Sequence, residues 1–221
     1  LRTFSHFLDP YQTDRLRDAL HWLGAAVGPV RDLDVLGDRI AAHVQALPDE
    51  DRPGAAELLV RLATSRREAH EHLLEALRCE RYDDTVRALV AFAAEPPIAP
   101  AAHTRATRPA ARRARSLVGR RWTQLAAAVD AGGENPTDAQ LHEIRIAAKR
   151  CRYAAEAVIP VIGRPARRFA AGVEQIQTVL GDYHDTIVAE AWLRTAAADL
   201  IDTGLAAGEL IAAEYAERSR L

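Results

Sequence analysis

The chain has 221 residues and a nearly balanced charge, with 29 Lys and Arg against 31 Asp and Glu and a formal net charge of −2 at pH 7. This length allows one large domain or two small ones, and the balance excludes the global basicity of a non-specific nucleic-acid coat. Cys79 and Cys151 are too few for a disulfide framework and are expected to be small buried side chains. No apolar run approaches the length of a membrane span.

Helical periodicity, abundant alanine, and proline or glycine at helix-length intervals predict an all-α fold. We expect a helix ending near Leu8, followed by helices at 13–27, 32–47, 54–79, 83–95, 109–131, 138–162, 165–180, 185–201 and 204–220. Pro53, Pro109 and Pro165 suit first turns, and Gly28 and Gly181 suit helix ends. Residues 132–136 form a loop, and the stretch 95–100 divides a first bundle (1–98) from a second (99–221).

The predicted helix at 138–162 has two chemically different faces. Its apolar face carries Ile144, Ala147, Ala148, Cys151, Ala155, Val158 and Ile162. Its opposite face carries His142, Arg145, Lys149 and Arg152, within about 80° and along about 15 Å of one helix. Only Glu156 offers a counter-charge there, whereas an ordinary solvated face mixes both signs at i,i+4. A face of one sign suits a linear polyanion.

Two further helices carry cations in unusual places. No acid occurs between Glu95 and Asp130, and there Arg108, Arg112 and Arg115 lie opposite an apolar face. In the helix at 54–79, Arg66 and His70 fall inside the leucine stripe that we expect to be buried. Because a buried unpaired arginine is costly, either an acid from another helix pairs with Arg66 or the stripe faces a polar cavity.

An internal repeat follows from direct comparison. Leu16, Leu20, Leu23, Val27, Gly28, Asp32 and Val35 recur 153 residues later as Phe169, Val173, Ile176, Leu180, Gly181, Asp185 and Val188, and Arg15 recurs as Arg168. The repeat predicts two similar bundles related by approximate symmetry, with Asp32 and Asp185 capping the helices that follow them. The partner of 142–153 would precede Leu1, so we expect the first copy of the basic motif to be missing.

These motifs resemble a known family. His142-x-x-Arg145-x-x-x-Lys149-Arg150-x-Arg152-Tyr153-x-x-Glu156, with Leu180-Gly181-x-x-x-Asp185, is similar to the second half of a CHAD domain (conserved histidine α-helical domain). Val27-Gly28-x-x-Arg31-Asp32-Leu33-Asp34-Val35 is similar to part of its first half. The resemblance covers essentially the whole chain. It implies two pseudo-symmetric four-helix bundles around a central basic channel that binds inorganic polyphosphate, and it favours the cavity beside Arg66.

Members of this family are implied to be cytoplasmic binding modules associated with polyphosphate granules, often fused to a CYTH-type domain. We therefore expect binding without catalysis, metal or cofactor, and no membrane partner. The candidate polyphosphate-binding residues are His142, Arg145, Lys149, Arg152, Arg108, Arg112, Arg115, Arg66, His70, Arg31, His184, Arg15 and Arg168. Arg218 and Arg220 should be exposed at the C-terminal end and uninvolved.

Two other functions stay open. His142, His184 and Asp185, with Asp199 or Asp202, resemble the metal ligands of HD-type metal-dependent phosphohydrolases. The repeat argues against this reading, because His184 corresponds to Arg31 and arginine cannot coordinate a metal. The other alternative is a helical adaptor that binds nucleic acid or an acidic protein. No Cys-x-x-Cys, phosphate-binding glycine loop or nucleophile elbow supports catalysis.

Overall fold

A computed structural model describes residue 1 and residues 3–102, 110–198 and 203–221, with the side chains of 110–112 left out. The described residues form eight α-helices: α1 (Pro10–Ala46), α2 (Arg52–Arg78), α3 (Glu80–Ala94), α4 (Ala110–Gly132), α5 (Asp138–Ala157), α6 (Ile159–Ile162), α7 (Arg164–Ala198) and α8 (Gly204–Arg218). Pro100–Ala102 form a 3₁₀ turn, and Leu8 and Ile98 form an isolated antiparallel bridge. The predicted all-α class is confirmed.

The prediction that Gly28 and Gly181 end helices is wrong. Both glycines lie inside the two longest helices, of 37 and 35 residues, and neither has a positive φ. Glycine in a helix interior costs about 1 kcal/mol relative to alanine. Packing along the rest of each helix outweighs that cost. Asp32 and Asp185 are therefore interior helical residues rather than N-caps.

The prediction of first-turn prolines is confirmed at the two positions that the structure describes. Pro53 lies in the first turn of α2 and Pro165 is the second residue of α7, as predicted. Pro109 lies outside the described residues. Within this described part, no helix is both long enough and apolar enough to cross a bilayer.

The chain forms two compact units, each built from two segments. Unit 1 contains Leu1–Pro10 and Pro97–His184, and unit 2 contains Tyr11–Pro96 and Asp185–Leu221. The boundary after Pro96 falls inside the predicted stretch 95–100. The units differ from the expected division into 1–98 and 99–221 in two respects. Residues 1–10 belong with 97–184, and the continuous helix α7 contributes its first part to unit 1 and its second part to unit 2.

The core of unit 1 joins α4, α5 and the first part of α7. One cluster contains Leu125, Ile144, Ala148, Cys151 and Val173, and a second contains Ala114, Val158 and Ala166. The predicted apolar face of α5 is thus confirmed. Burial raises the pKa of the Cys151 thiol, with nearby Arg121 acting in the opposite direction, while Cys79 is only half-buried.

The core of unit 2 shows the repeat in its buried positions. Leu36 and Ile40 of α1 are buried, as are Ala189 and Leu193, which lie 153 residues later in α7. The helices that follow repeat a buried spacing of three and four residues: Ala55, Leu58 and Leu62 in α2, and Ala207, Leu210 and Glu214 in α8. Both copies are therefore helical, and matching positions are buried in the segments that follow the predicted repeat.

Candidate polyanion-binding face

The helix α5 begins at a well-formed cap. The Thr137 side chain accepts from the backbone N–H of Gln140, and Gln140 Oε1 accepts from the backbone N–H of Thr137 at 2.8 Å, which completes a capping box. Gln140 Nε2 also donates to the carbonyl of Ala131 in α4 at 3.1 Å. The cap and its tie to α4 fix where the cationic side of α5 begins.

We call His142, Arg145, Lys149 and Arg152 the basic face, and it lies against α7 in one antiparallel register. Arg152 contacts Glu174, a Cβ at Gly181 would lie 3.9 Å from Arg145 Nε, and the rings of His142 and His184 are 5.1 Å apart. From Arg152 to Arg145 and then to His142, the contacts move back along α5 by seven and by three residues. The contacted positions on α7 move forward by the same numbers, from Glu174 to Gly181 and then to His184. The structure thus places His184 beside His142 of the basic face. The sequence names His184 as a candidate binding residue but does not place it beside α5.

Arg145 is half-buried, and its Nε is shielded from solvent without a hydrogen-bond partner in the described structure. The guanidinium lies close to α7 at Gly181, where a Cβ would make an ordinary van der Waals contact with it. Leaving a buried donor unpaired costs roughly 1–3 kcal/mol. An anion that accepts this hydrogen bond would recover that free energy.

Lys149 is exposed, and its Nζ lies 6.0 Å from the centre of the Tyr153 ring. No acidic side chain among the described residues pairs with it. The register places Gln177 of α7 opposite Lys149, and Gln177 Oε1 is buried without a hydrogen-bond partner in the described structure. A cation without an acidic partner and a buried acceptor without a hydrogen bond therefore occur on facing positions of α5 and α7.

Arg152 differs from the rest of the basic face because it is neutralised. Its Nη1 lies 2.7 Å from Glu174 Oε1, and its Nε lies 3.7 Å from Glu156 Oε1. Burial opposes the charge, but the hydrogen bond with Tyr153 and the two carboxylates outweigh it and raise the pKa of Arg152. The sequence identified Glu156 but missed Glu174, since the latter pairing depends on the register between two helices.

The arginines of α4 separate into two groups. Arg115 is exposed, Arg108 lies outside the described residues, and nothing is described of the Arg112 side chain. Arg113 and Arg120 instead line a pocket of about 300 Å³ with His6, Phe7, Ser116 and Leu117. Arg113 and Arg120 were not predicted, although their seven-residue spacing places them on one face of a helix.

The remaining candidates are mostly in unit 2. The expectation that Arg66 and His70 are buried is wrong, because only the first half of α2 is covered and both residues are exposed. Arg66 pairs with Asp34 of α1. Of the two alternatives that the sequence left open, this is the one in which an acid from another helix pairs with Arg66. Arg31 and Arg15 are exposed in unit 2, and Arg168 is exposed in unit 1.

Arg218 is not the exposed terminal residue that the sequence suggested. Only 17% of its side chain is exposed, and it donates to Thr186 Oγ1 at 2.8 Å and to Glu190 at 2.9 Å. Arg218 lies 152 residues after Arg66, the same offset that relates Leu58 to Leu210 and Leu62 to Glu214, so it occupies the position in α8 that Arg66 occupies in α2. Arg220 is exposed as expected.

The histidines predicted as possible metal ligands do not form such a group in the described structure. The one set of three ligand atoms within 4.8 Å of one another there comes from His43, Glu214 and Glu217 in unit 2. Arg39 already lies 2.7 and 2.9 Å from these two carboxylates, so a guanidinium neutralises the position that a metal would need. Asp199 and Asp202 lie outside the described residues.

Comparisons with known proteins agree with this architecture. The CHAD domain family model matches residues 1–194. Two uncharacterized proteins, from two strains of Mycobacterium tuberculosis, are each 32% identical over 222 residues, an alignment that covers 92% of this chain. This chain spans about two fifths of the length of those relatives, since the alignment covers 40% of each.

Two solved structures share the fold. PptA from Streptomyces chartreusis is similar with a TM-score of 0.81 and 24% identity, covering 100% of this chain and 80% of that one. The CHAD domain from the plant Ricinus communis gives a TM-score of 0.70 and 22% identity, covering 100% of this chain and 71% of that one. At these identities, the likeness establishes the helical architecture.

Proposed function

The chain belongs to the CHAD domain family, and on that premise we propose that it binds inorganic polyphosphate through the basic face without turning it over. The observation that carries the proposal is the state of Arg145 and Lys149. Both are cations without an acidic partner in the described structure, and Arg145 also holds a buried donor without a hydrogen bond. Cations in this state favour an external anion, since their charge is not already compensated within the fold.

The chemistry of each side chain suits a chain of phosphates. The Arg145 guanidinium presents parallel N–H donors to two phosphate oxygens, and Lys149 acts as a compact point charge. His142 and His184 add ring N–H donors beside Arg145. Because α5 rises about 1.5 Å per residue, successive cations recur along one line, as the charges of a linear polyanion do.

The wider binding surface is also part of the proposal. Arg115 and Arg168, which are exposed in unit 1, would extend the surface that the basic face offers to the ligand. Cations gathered on one such surface would concentrate positive potential despite the negative net charge. Affinity should then rise with the number of phosphates. Cytoplasmic localisation, polyphosphate granules and an associated CYTH-type domain belong to the same proposal.

The test is equilibrium binding of polyphosphates of graded length to the wild type and to Arg145→Ala/Lys149→Ala. Two charge-assisted contacts of about 1.5–3 kcal/mol each should be lost. The matched control is Arg150→Ala/Arg220→Ala, which removes the same charge from two exposed positions, one of them on α5. Affinity should fall steeply in the first variant and little in the second.

The same experiment distinguishes the alternative functions. Metal-stimulated release of phosphate, abolished by His184→Ala/Asp185→Ala, would favour a phosphohydrolase. Preferential retention of RNA or DNA in competition would favour an adaptor. Unchanged polyphosphate affinity in Arg145→Ala/Lys149→Ala would falsify the proposed role of the basic face.

A further inference from the structure

Four positions of α7 line the contact with the basic face, and they differ in charge. The register places Glu174 opposite Arg152, Gln177 opposite Lys149, Gly181 opposite Arg145 and His184 opposite His142. Of these four α7 residues, only Glu174 is an acid. Among these four positions the negative charge therefore occurs at one end, where it neutralises the last cation.

From this arrangement, and resting on the proposed function, we infer that Glu174 determines how long a segment of polyphosphate the basic face can hold. From His142 to Lys149 the face extends about 10 Å along α5, and Arg152 would extend it by about 4.5 Å. With Glu174 in place, Arg152 is already paired and a phosphate approaching it meets a carboxylate. The ligand then contacts His142, Arg145 and Lys149 and ends before Arg152.

The contact is well suited to this role because it contributes little to the fold. The Glu174 side chain is 57% exposed, and exposed ion pairs usually stabilise a protein by less than about 1 kcal/mol. Arg152 remains anchored without Glu174, since Glu156 lies on the next turn and the guanidinium stacks at 5.1 Å from the Tyr153 ring. Removing the Glu174 carboxylate should leave Arg152 with only the longer contact from its Nε to Glu156, and so make Nη1 available to a phosphate without disturbing α5.

Glu174→Gln is the direct test, with Glu143→Gln as the matched control. Both variants remove one negative charge from an exposed glutamate, but Glu143 lies on α5 about 140° away from the centre of the basic face. Glu174→Gln should bind long polyphosphate about tenfold more tightly, as expected for one added charge-assisted contact. Pyrophosphate, which is too short to reach from Arg145 to Arg152, should gain less than long polyphosphate does.

Two further readouts separate this role from a general charge effect. The slope of log affinity against log salt should steepen by about 0.7, for one more cation neutralised. The gain should also vanish in Arg152→Ala/Glu174→Gln, because the released cation is absent. Equal tightening by Glu143→Gln, or a gain that survives removal of Arg152, would overturn the inference.

This outcome can be told apart from failure of the proposed function. If the wild type binds and Arg145→Ala/Lys149→Ala weakens binding, but Glu174→Gln has no effect, only the role of Glu174 is wrong. If the wild type does not bind polyphosphate at any length, the proposed function is wrong and this inference with it.

Discussion

At the scale of single residues, unit 2 contains a charge at a core position. The Glu214 side chain is 1% exposed, and its repeat counterpart in α2 is the buried Leu62. Arg39 donates to both Glu214 oxygens at 2.9 and 2.7 Å, and His43 Nε2 lies 3.3 Å from Glu214. Such a cluster adds little net stability compared with an apolar core, but breaking it is costly.

Replacing Arg39 with methionine should therefore destabilise the protein by about 3 kcal/mol, since a buried carboxylate loses its main partner. The double variant Arg39→Met/Glu214→Leu should recover most of that loss, because it restores the leucine found in the other copy of the repeat. Urea denaturation of both variants checks this. Equal instability of the single and double variants would contradict the pairing.

Glu190 provides a second prediction, for pH dependence. Tyr215 donates to Glu190 at 2.7 Å, and this hydrogen bond, opposed by burial and aided by Arg194 and Arg218, lowers the pKa of the carboxyl group. Because the pKa of Glu190 is lower in the folded state than in the unfolded chain, its carboxylate stabilises the fold fully above the unfolded pKa of about 4.3. This stabilisation is lost as the pH falls through the pKa of the folded state. Glu190→Gln should thus cost about 1 kcal/mol at pH 7.

The free energy of unfolding, measured for the wild type and Glu190→Gln as the pH is lowered from 7, tests the sign. The two curves should converge progressively below about pH 4.3. A constant difference down to the acid transition would show that the carboxylate charge is not what the neighbouring donors stabilise.

At the scale of helices, the sequence predicted where most helices lie but divided the two longest ones. Periodicity located α2, α4, α5 and α8 to within a few residues, because each has an apolar face and a clear start or stop. Gly28 and Gly181 resemble helix ends in sequence alone. Whether a glycine ends a helix depends on packing further along, which local sequence does not contain.

The position of Gly28 inside the continuous helix α1 gives a prediction for Gly28→Ala. A Cβ at position 28 would meet no atom within 4 Å, and the residue is helical, so alanine should raise stability by about 0.5–1 kcal/mol. Thermal or urea unfolding measures the change. Destabilisation would mean that position 28 is not in the interior of a continuous helix.

The start of α5 gives a prediction of opposite sign. Thr137→Ala removes the side chain that forms the capping box with Gln140 and should cost about 1 kcal/mol. Thr123→Ala is a suitable control, since the Thr123 hydroxyl donates to the carbonyl of Gly119 within a helix and forms no cap. A similar loss from both variants would argue against the cap.

At the scale of the whole molecule, the sequence predicted the cationic residues of the basic face but few of the acidic residues that pair with its arginines. The cationic positions of α5 follow from helical spacing, and the prediction that they share one face agrees with their common register against α7. Glu174, Asp34 and Glu190 lie on other helices than the arginines they pair with, so no local pattern could reveal them. Glu156, which lies on α5 with Arg152, is the counter-charge that the sequence did identify. The composition of each unit from two segments was likewise invisible, because it depends on tertiary packing.

The salt dependence of polyphosphate binding, compared between the wild type and Arg145→Ala/Lys149→Ala, tests the central claim most directly. Each cation that contacts the polyanion releases counterions, so losing two contacts should flatten the slope of log affinity against log salt by about 1.4, at about 0.7 for each contact. Arg150→Ala/Arg220→Ala should leave the slope unchanged. If the slope is the same in all three proteins, Arg145 and Lys149 do not contact the ligand, and the account of the basic face is contradicted.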